Sequence, residues 1–391
     1  MNRREFTKTA ALLAMGSAAR GDAKTMRAYV GTYSSPQGAE GSKGRGAGIY
    51  LFEMEPMSGA LTQKDVFKDE TNPSWLAMNK ARTHLYAANE AADGAVSALS
   101  IDSGTGELTL LNRASSGGAG PAHLSIHPSG KYVLVANYAG GSVAVLPILE
   151  DGKVGEPSDI QKHTGTVGPA KAASGPQGSF AISGHDKPHG HMIESDPAGR
   201  FVLAADLGLD EIFIYKFDLA TGKLSPNNPP GFKLPPGDGP RHFAFHPNRH
   251  WLYTLEEESS TLVTCDYDQA RGILKEKQKI STLPKDFAGT DFTSEIALSP
   301  DGRFVYAANR LHDTIAWFSI GGDGKLAWMG EEWTRGDYPR SFTIDPTGNF
   351  LYSCNQRSDA IACFKRDKKS GELTFTGQYT AVGTPAIMRF V

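Results

Sequence analysis

Short apolar runs recur along the chain, each followed by a turn and then by a second apolar run that ends on an amide or an acid. The clearest copies are His127-Pro128-Ser129-Gly130-Lys131, leading into a run that ends at Asn137, and Ser299-Pro300-Asp301-Gly302-Arg303, leading into one that ends at Asn309. Weaker copies end at Asn89, Asp206, Glu256 and Asn355, and a degenerate one lies at Tyr29-Val30-Gly31. The runs are rich in β-branched and aromatic residues and bounded by Gly and Pro, which predicts strands. No sustained 3.6-residue period supports a helix. Residues 296–298 and 342–344 predict a first strand, 304–309 and 350–355 a second, and 314–318 and 360–364 a third. A fourth follows a Gly turn, as at 371–375. A loose repeat of about 50 residues with this content predicts a β-propeller.

The two ends of the chain set the number of blades. Arg27–Gly31 resembles a second strand with no first strand before it, while residues 384–390 resemble the first strand at 239–245. The C-terminal strand is therefore expected to complete the N-terminal blade, which removes two sheet edges. The expected fold is all-β: a seven-bladed β-propeller of four-stranded antiparallel blades, closed by the C-terminal strand.

Composition sharpens this reading. In 391 residues there are 44 glycines and 23 prolines, enough for many tight turns, and the net charge of -3 leaves no electrostatic footprint for nucleic acid. No stretch beyond the N-terminus is long and apolar enough to span a membrane. Residues 1–25 stand apart: Arg3-Arg4-Glu5-Phe6-Thr7-Lys8 precedes the apolar run 9–19. This resembles a twin-arginine export signal, cleaved after Ala19 or Ala23, with the propeller occupying 26–391 and the mature protein periplasmic or secreted. A basic terminal helix without export is the bland alternative. Three cysteines, Cys265, Cys354 and Cys363, cannot all pair in a monomer, and buried thiols are expected.

In a propeller blade the first strand lines the central channel and runs antiparallel to the second. First-strand starts and second-strand ends therefore meet at one mouth. The starts supply His123, His189, His191, Arg241, His242, Glu295 and Arg340. The ends supply Asn137, Asp206, Glu256, Glu257, Asn309, Arg310, Asn355 and Arg357. Ring closure alone requires no such mixture of imidazoles, acids and arginines. The bland readings are turn residues for the terminal amides and acids, and rim salt bridges for Arg340 and Arg357. His127 and His246, each before Pro, lie at the far end of their strands and are expected to be structural. His189 and His191, one residue apart on a strand, are expected to point the same way. An insertion at 163–178, rich in Gly, Ala, Ser and Pro, has the character of a functional loop.

The most specific segments are Pro188-His189-Gly190-His191, Asp206-Leu207-Gly208, residues 239–248, residues 294–303 with Asn309-Arg310, and the opening Gly31-Thr32-Tyr33. On these the chain resembles the propeller-type lactonases, a family that includes 6-phosphogluconolactonase and carboxy-cis,cis-muconate cyclase. The resemblance covers essentially everything after residue 26. It implies an active site of a histidine at His189 or His191, Arg241, Glu257 and Arg310. Two positions depart from the family pattern: Phe180–Gly184 stands where an Arg-Gln pair is common, and Glu256 replaces an Asn.

Lactone hydrolysis needs an activated water, an oxyanion stabiliser and a grip on the polar groups of the substrate. Arg241 and Arg310 suit the last two roles. Glu257 suits a base or an electrostatic role, and a histidine, with its near-neutral pKa, suits protonation of the leaving oxygen. Asn137, Asp206, His242, Glu256, Glu295 and Arg340 are expected to bind substrate. No Gly-x-Ser-x-Gly elbow is present, so no serine nucleophile is expected. No cofactor and no metal are called for. The expected protein is a monomeric lactonase acting on a small sugar-derived lactone, aldono- or 6-phosphoglucono-, and export favours an unphosphorylated one. The rival readings are a non-enzymatic binding propeller and a lactone-forming cyclase.

Overall fold

The alternation of apolar runs and Gly/Pro turns produces seven four-stranded antiparallel sheets. The computed structural model describes residues 26–36, 43–172, 175 and 184–391. Residues 1–25, where an export signal is expected, and residues 173–174 and 176–183, in and after the insertion, lie outside the described residues. Blade one combines Met26–Thr32, Gly48–Met54 and Leu61–Lys68 with Pro385–Phe390, which is its innermost strand. Ala28 pairs with Phe390, Val30 with Met388 and Gly31 with Ile387, so the C-terminus closes the ring as expected. The other innermost strands are Pro73–Met78, Pro121–Ile126, Gly190–Ser195, Pro240–Phe245, Thr293–Leu298 and Pro339–Ile344. No helix of the described residues is long and apolar enough to cross a membrane.

The core lies between blades rather than within one sheet. One apolar cluster joins Met192, Leu203 and Ile214 of blade four to Phe243, Leu252 and Val263 of blade five. Another joins Val30 and Phe52 of blade one to Tyr352 and Ile361 of blade seven. Cys265, Cys354 and Cys363 are buried free thiols within these layers.

A repeated tyrosine ties five of the seven blades to the next. Tyr29, Tyr86, Tyr253, Tyr306 and Tyr352, all in second strands, are buried and donate to the carbonyls of Gly106, Gly152, Gly324, Gly371 and Gly59. Each acceptor glycine turns a hairpin of the following blade; the Tyr352–Gly59 bond, at 2.8 Å, crosses the point of ring closure. His127 and His246 serve the same end, their Nε2 atoms meeting the carbonyls of Gly199 at 3.1 Å and Gly302 at 2.9 Å. They are structural, as their position before Pro predicted.

Candidate active site

Two rules of position build the mouth of the channel. The first concerns the innermost strands: every one enters its sheet with a register shift, in all seven blades. In blade five, Pro240 opposes Glu256 and His242 opposes Leu255, leaving Arg241 as the extra residue. The corresponding extra residues are Ser74, Ala122, His191, Arg340 and Ala386 in blades two, three, four, seven and one. A bulge re-aims the side chain it inserts, and all six of these residues line one small pocket. Tyr33, Trp75, Glu90 and His242 complete it. In blade six the shift falls between Thr293 and Ile296 and contains Ser294 and Glu295.

The second rule concerns the second strands. Their terminal residues turn away from the pocket, and the amides and Asp206 among them lock the loops between blades. The Asn137 amide donates to the Ser116 carbonyl and the Ser142 hydroxyl. Asn309 and Asn355 donate to the carbonyls of Thr282 and Thr334. Asp206 accepts the backbone N–H groups of His189 and Leu209 and meets His163 Nδ1 at 2.6 Å. Glu256 is wholly buried, and burial followed by Asp238 pushes its carboxyl well above the usual range. None of Asn137, Asp206 and Glu256 lines the pocket. The residue one position later is the one that reaches the mouth: Glu90, Glu257 and Arg310.

Glu257 is clamped. Its Oε2 lies 2.9 Å from Arg241 Nε and its Oε1 2.6 Å from Arg310 Nη2, with all three side chains buried. Arg310 is itself held against Phe292, 4.1 Å from the ring centroid, and Tyr338, 5.4 Å. Arg241 also donates from Nη1 to the Ser294 carbonyl. Its Nη1 is 3.4 and 3.3 Å from the two ring nitrogens of His242, nearly equidistant, which sets the guanidinium over the imidazole face. Burial, then Arg310 and Arg340, push the Arg241 pKa down to about 10, still far on the cationic side of neutrality. Arg340 lies over the Tyr33 ring, whose hydroxyl donates to Glu90 at 2.9 Å; Ser74 donates to the same carboxylate oxygen at 2.5 Å. Glu257 and Arg310 stand directly behind Arg241 rather than on the pocket wall.

The two histidines of Pro188–His191 separate. His189 precedes the strand and stacks on Tyr138 at 4.2 Å; its Nδ1 meets the Tyr138 carbonyl and its Nε2 meets Asp186. His191 is the bulge residue, sits edge-on to Tyr138 and His242, and lines the pocket with Nδ1 unpartnered. The strict two-residue alternation fails here because the bulge interrupts it. Burial, then Arg241, hold the imidazoles of His191 and His242 well below the ordinary range, so both rest neutral near pH 7.

His123, His242 and Trp75 form a septum, with ring centroids 4.5 to 5.6 Å apart. On its far side a cavity of about 1070 Å³ occupies the rest of the channel. Glu194, Glu295 and Arg389 line it together with Met78, Ile126, Phe245 and Leu298. The pocket on the arginine side measures only about 10 Å³, room for about one water. The converging chemistry nevertheless lies there: Arg241, Arg340 and His191 belong to that pocket and not to the larger cavity. Among the described residues no group of three His, Cys, Asp or Glu side chains is arranged to hold a metal ion.

Glu90 and Tyr33 were missed by sequence reasoning. Both had a signal: Glu90 follows the second-strand end Asn89, as Glu257 follows Glu256, and Tyr33 follows the strand of blade one.

Fold and mouth together define a propeller with a buried arginine, carboxylate and imidazole cluster at one end of its channel. The chain belongs to the seven-bladed β-propeller lactonase family, whose model matches residues 27–390. It is 37% identical over 365 residues to a 6-phosphogluconolactonase of Bacillus subtilis, covering 93% of this chain and 97% of that one. A 6-phosphogluconolactonase of Formosa agariphila is 32% identical, covering 88% of this chain and 96% of that one. Among solved structures, a periplasmic gluconolactonase of Pseudomonas aeruginosa superimposes with a TM-score of 0.83 at 28% identity, over 94% of this chain and 99% of that one.

Proposed function

We propose that the protein hydrolyses the ester bond of a sugar-derived lactone. The observation that carries this reading is the convergence of Arg241, Arg310 and Arg340 with Glu257 and two neutral imidazoles around one buried pocket. Three guanidinium groups face two carboxylates, Glu257 and Glu90, so the pocket carries an excess of positive charge suited to a developing oxyanion.

In the proposed reaction a water attacks the lactone carbonyl while a neutral imidazole takes its proton. The carbonyl oxygen becomes an oxyanion beside Arg241 and Arg340. Collapse breaks the ring C–O bond, and the imidazolium returns the same proton to the departing alkoxide; the new carboxylic acid loses its remaining proton to solvent, and the arginines hold the resulting carboxylate. A neutral resting imidazole is the correct form for this sequence: it accepts first and donates second. A histidine still protonates the leaving oxygen, with the proton it has first taken from water. Glu257, with both oxygens engaged by arginines, acts by positioning them. The small volume of the pocket means that a lactone must displace side chains that line it.

Two features favour an unphosphorylated aldonolactone met outside the cytoplasm. One is the Arg3-Arg4 leader; the other is the similarity to a periplasmic gluconolactonase. Replacing Arg3 and Arg4 by lysine is expected to leave the protein in the cytoplasm with its leader attached, and normal export would remove the twin-arginine reading. The function is tested with protein lacking residues 1–25 on a panel of gluconolactone, its 6-phosphate and a muconolactone, with products identified by NMR. Accelerated ring opening of a sugar lactone supports the proposal. Acceleration of none, or closure of a muconate in place of opening, overturns it.

A further inference from the structure

Two imidazoles line the pocket, and their surroundings differ in one respect that bears on which of them moves the proton. His191 has no orienting partner: its Nδ1 makes no hydrogen bond among the described residues. His242 has one. Its Nδ1 lies 3.1 Å from Glu295 Oε1, and both side chains are buried. Glu295 Oε1 also accepts the backbone N–H of Ile296 at 3.1 Å, which fixes the carboxylate in place.

We propose that Glu295 is a positioning residue that holds His242 in the Nδ1–H tautomer, leaving Nε2 as the atom that takes the proton of the attacking water and returns it to the leaving oxygen. This rests on the lactone-hydrolysis reading above. The argument is geometric. A base acts reliably when a third group fixes its tautomer and ring angle. Oε1 already accepts the Ile296 N–H, and an ionised carboxylate is acceptor-only, so an ionised Glu295 draws the Nδ1 proton toward it and leaves the lone pair on Nε2. His242 lines both the small pocket and the large cavity, whereas Glu295 lines only the latter. The carboxylate therefore stands behind the ring as seen from the pocket. Glu257 does not compete for the role, because each of its oxygens faces a guanidinium. Arg241 Nη1, 3.3 Å from Nε2, disfavours imidazolium at rest and presents only a donor to that nitrogen, which favours the lone pair there. His123 and Trp75 pack on the other sides of the ring and limit its rotation.

The register places a carboxylate at this position. From Thr293 to Ile296 the inner strand advances three residues while its partner advances two, from Asn309 to Ala307, so the net insertion is one residue, as in the other blades. Ser294 takes the outer place, its carbonyl meeting Arg241 and its hydroxyl donating to the Pro339 carbonyl at 2.6 Å. Glu295 falls one step deeper, level with His242.

The test has a readout independent of turnover. In protein labelled with ¹⁵N-histidine, long-range ¹H–¹⁵N spectra assign the tautomer of each ring, with His242→Gln identifying its signal. The expected result is the Nδ1–H form for His242 in the wild type, and loss of that bias in Glu295→Met. With a lactone substrate, Glu295→Met is expected to lower kcat by about 10²-fold, the low end of what a positioned base supplies, with little change in KM. Glu295→Gln keeps an acceptor oxygen and is expected to retain the tautomer and recover part of the rate. His242→Gln should cost more in kcat than His191→Gln. An Nε2–H tautomer in the wild type overturns the proposal, as does a Glu295→Met protein that turns over at the wild-type rate. Should Glu295→Met fail to fold, the wild-type spectrum and the Glu295→Gln rate decide. Should no lactone be hydrolysed, the functional reading falls, while the tautomer still reports whether Glu295 orients His242.

Discussion

Arg241→Ala separates the site from the scaffold most sharply, because Arg241 is the one side chain that touches the clamp, the septum and the pocket together. The substitution removes the guanidinium 2.9 Å from Glu257, the donor to the Ser294 carbonyl and the cation over His242. Its structural cost has two parts. An unsatisfied buried carbonyl costs about 1–3 kcal/mol. An orphaned buried carboxylate would cost about 3–5 kcal/mol, but Glu257 keeps Arg310 at 2.6 Å, which limits this part. Removal of Arg241 also relieves its repulsion with Arg310 and Arg340, the same repulsion that contributes to depressing its pKa. The net loss of stability is expected to be about 1–3 kcal/mol, small enough for the ring to remain folded. Catalysis should suffer more. Loss of one oxyanion donor lowers kcat by about 10²–10³, or about 2.7–4 kcal/mol. Arg241→Lys keeps the charge without the fork and should fall between. The assay is continuous acid release from gluconolactone, corrected for spontaneous hydrolysis, beside thermal unfolding followed by circular dichroism. A folded Arg241→Ala protein with wild-type kcat would refute the assignment of the oxyanion to this pocket.

Glu257→Gln is expected to lower kcat more than it raises KM, since it loosens two arginines at once; steady-state kinetics with a change in KM alone would contradict this. Tyr352→Phe removes the hydroxyl that meets the Gly59 carbonyl across the ring closure and should destabilise by about 1–3 kcal/mol, read from the urea midpoint. Truncation after Gly383 deletes the innermost strand of blade one, with buried Ile387 and Met388, and should abolish the cooperative transition; a truncated protein that still unfolds at the wild-type midpoint counts against closure by this strand. Burial, then Glu257, push the Glu258 carboxyl up from its ordinary 4.5 to about 9. A carboxyl raised in the folded state withdraws stability as pH rises from about 4.5 through about 9. Glu258→Gln should therefore raise the Tm more at about pH 8.5 than at about pH 5, and an equal shift at both would show that Glu258 does not titrate in this way.

The blades were legible in the sequence because each repeats a pattern set by local physics. Turns require Gly and Pro, buried strands require β-branched and aromatic residues, and the second strand ends where an amide can lock the next loop. Ring closure was legible for the same reason: residues 384–390 carry a first-strand pattern with no following second strand. The mouth was legible only as pairs. Sequence reasoning offered Glu256 with Glu257 and Asn309 with Arg310, and the structure turns the first member of each away from the pocket and brings the second to the mouth. His189 and His191 divide in the same way. What decided each pair was register, and a register shift leaves no trace in composition or in the apolar period.

It does leave a trace in the residues around it. In five blades the extra residue follows a proline: Pro73-Ser74, Pro121-Ala122, Pro240-Arg241, Pro339-Arg340 and Pro385-Ala386. A proline cannot donate to the ladder and is tolerated at the first position of a strand or at a bulge. The residue before each of these prolines has positive φ: Asn72 at 54°, Gly120 at 58°, Gly239 at 68°, Tyr338 at 65° and Thr384 at 38°. A left-handed residue, a proline and a bulge together form a corner that delivers one side chain into the channel from each of these five blades. For Tyr338 and Thr384 that conformation is costly and must be held by its surroundings; Thr384 is held by its hydroxyl on the Tyr33 carbonyl and its N–H on Asp359. The seven blades share the register shift and differ in what they carry. Blades one, two and three deliver Ala386, Ser74 and Ala122, while blades four, five and seven deliver His191, Arg241 and Arg340, and Arg310 joins them from behind. Small side chains on one arc leave the space, and charge on the other supplies the grip. The polarity of the site thus arises from which residue follows the corner in each blade, on a backbone that treats all seven nearly alike.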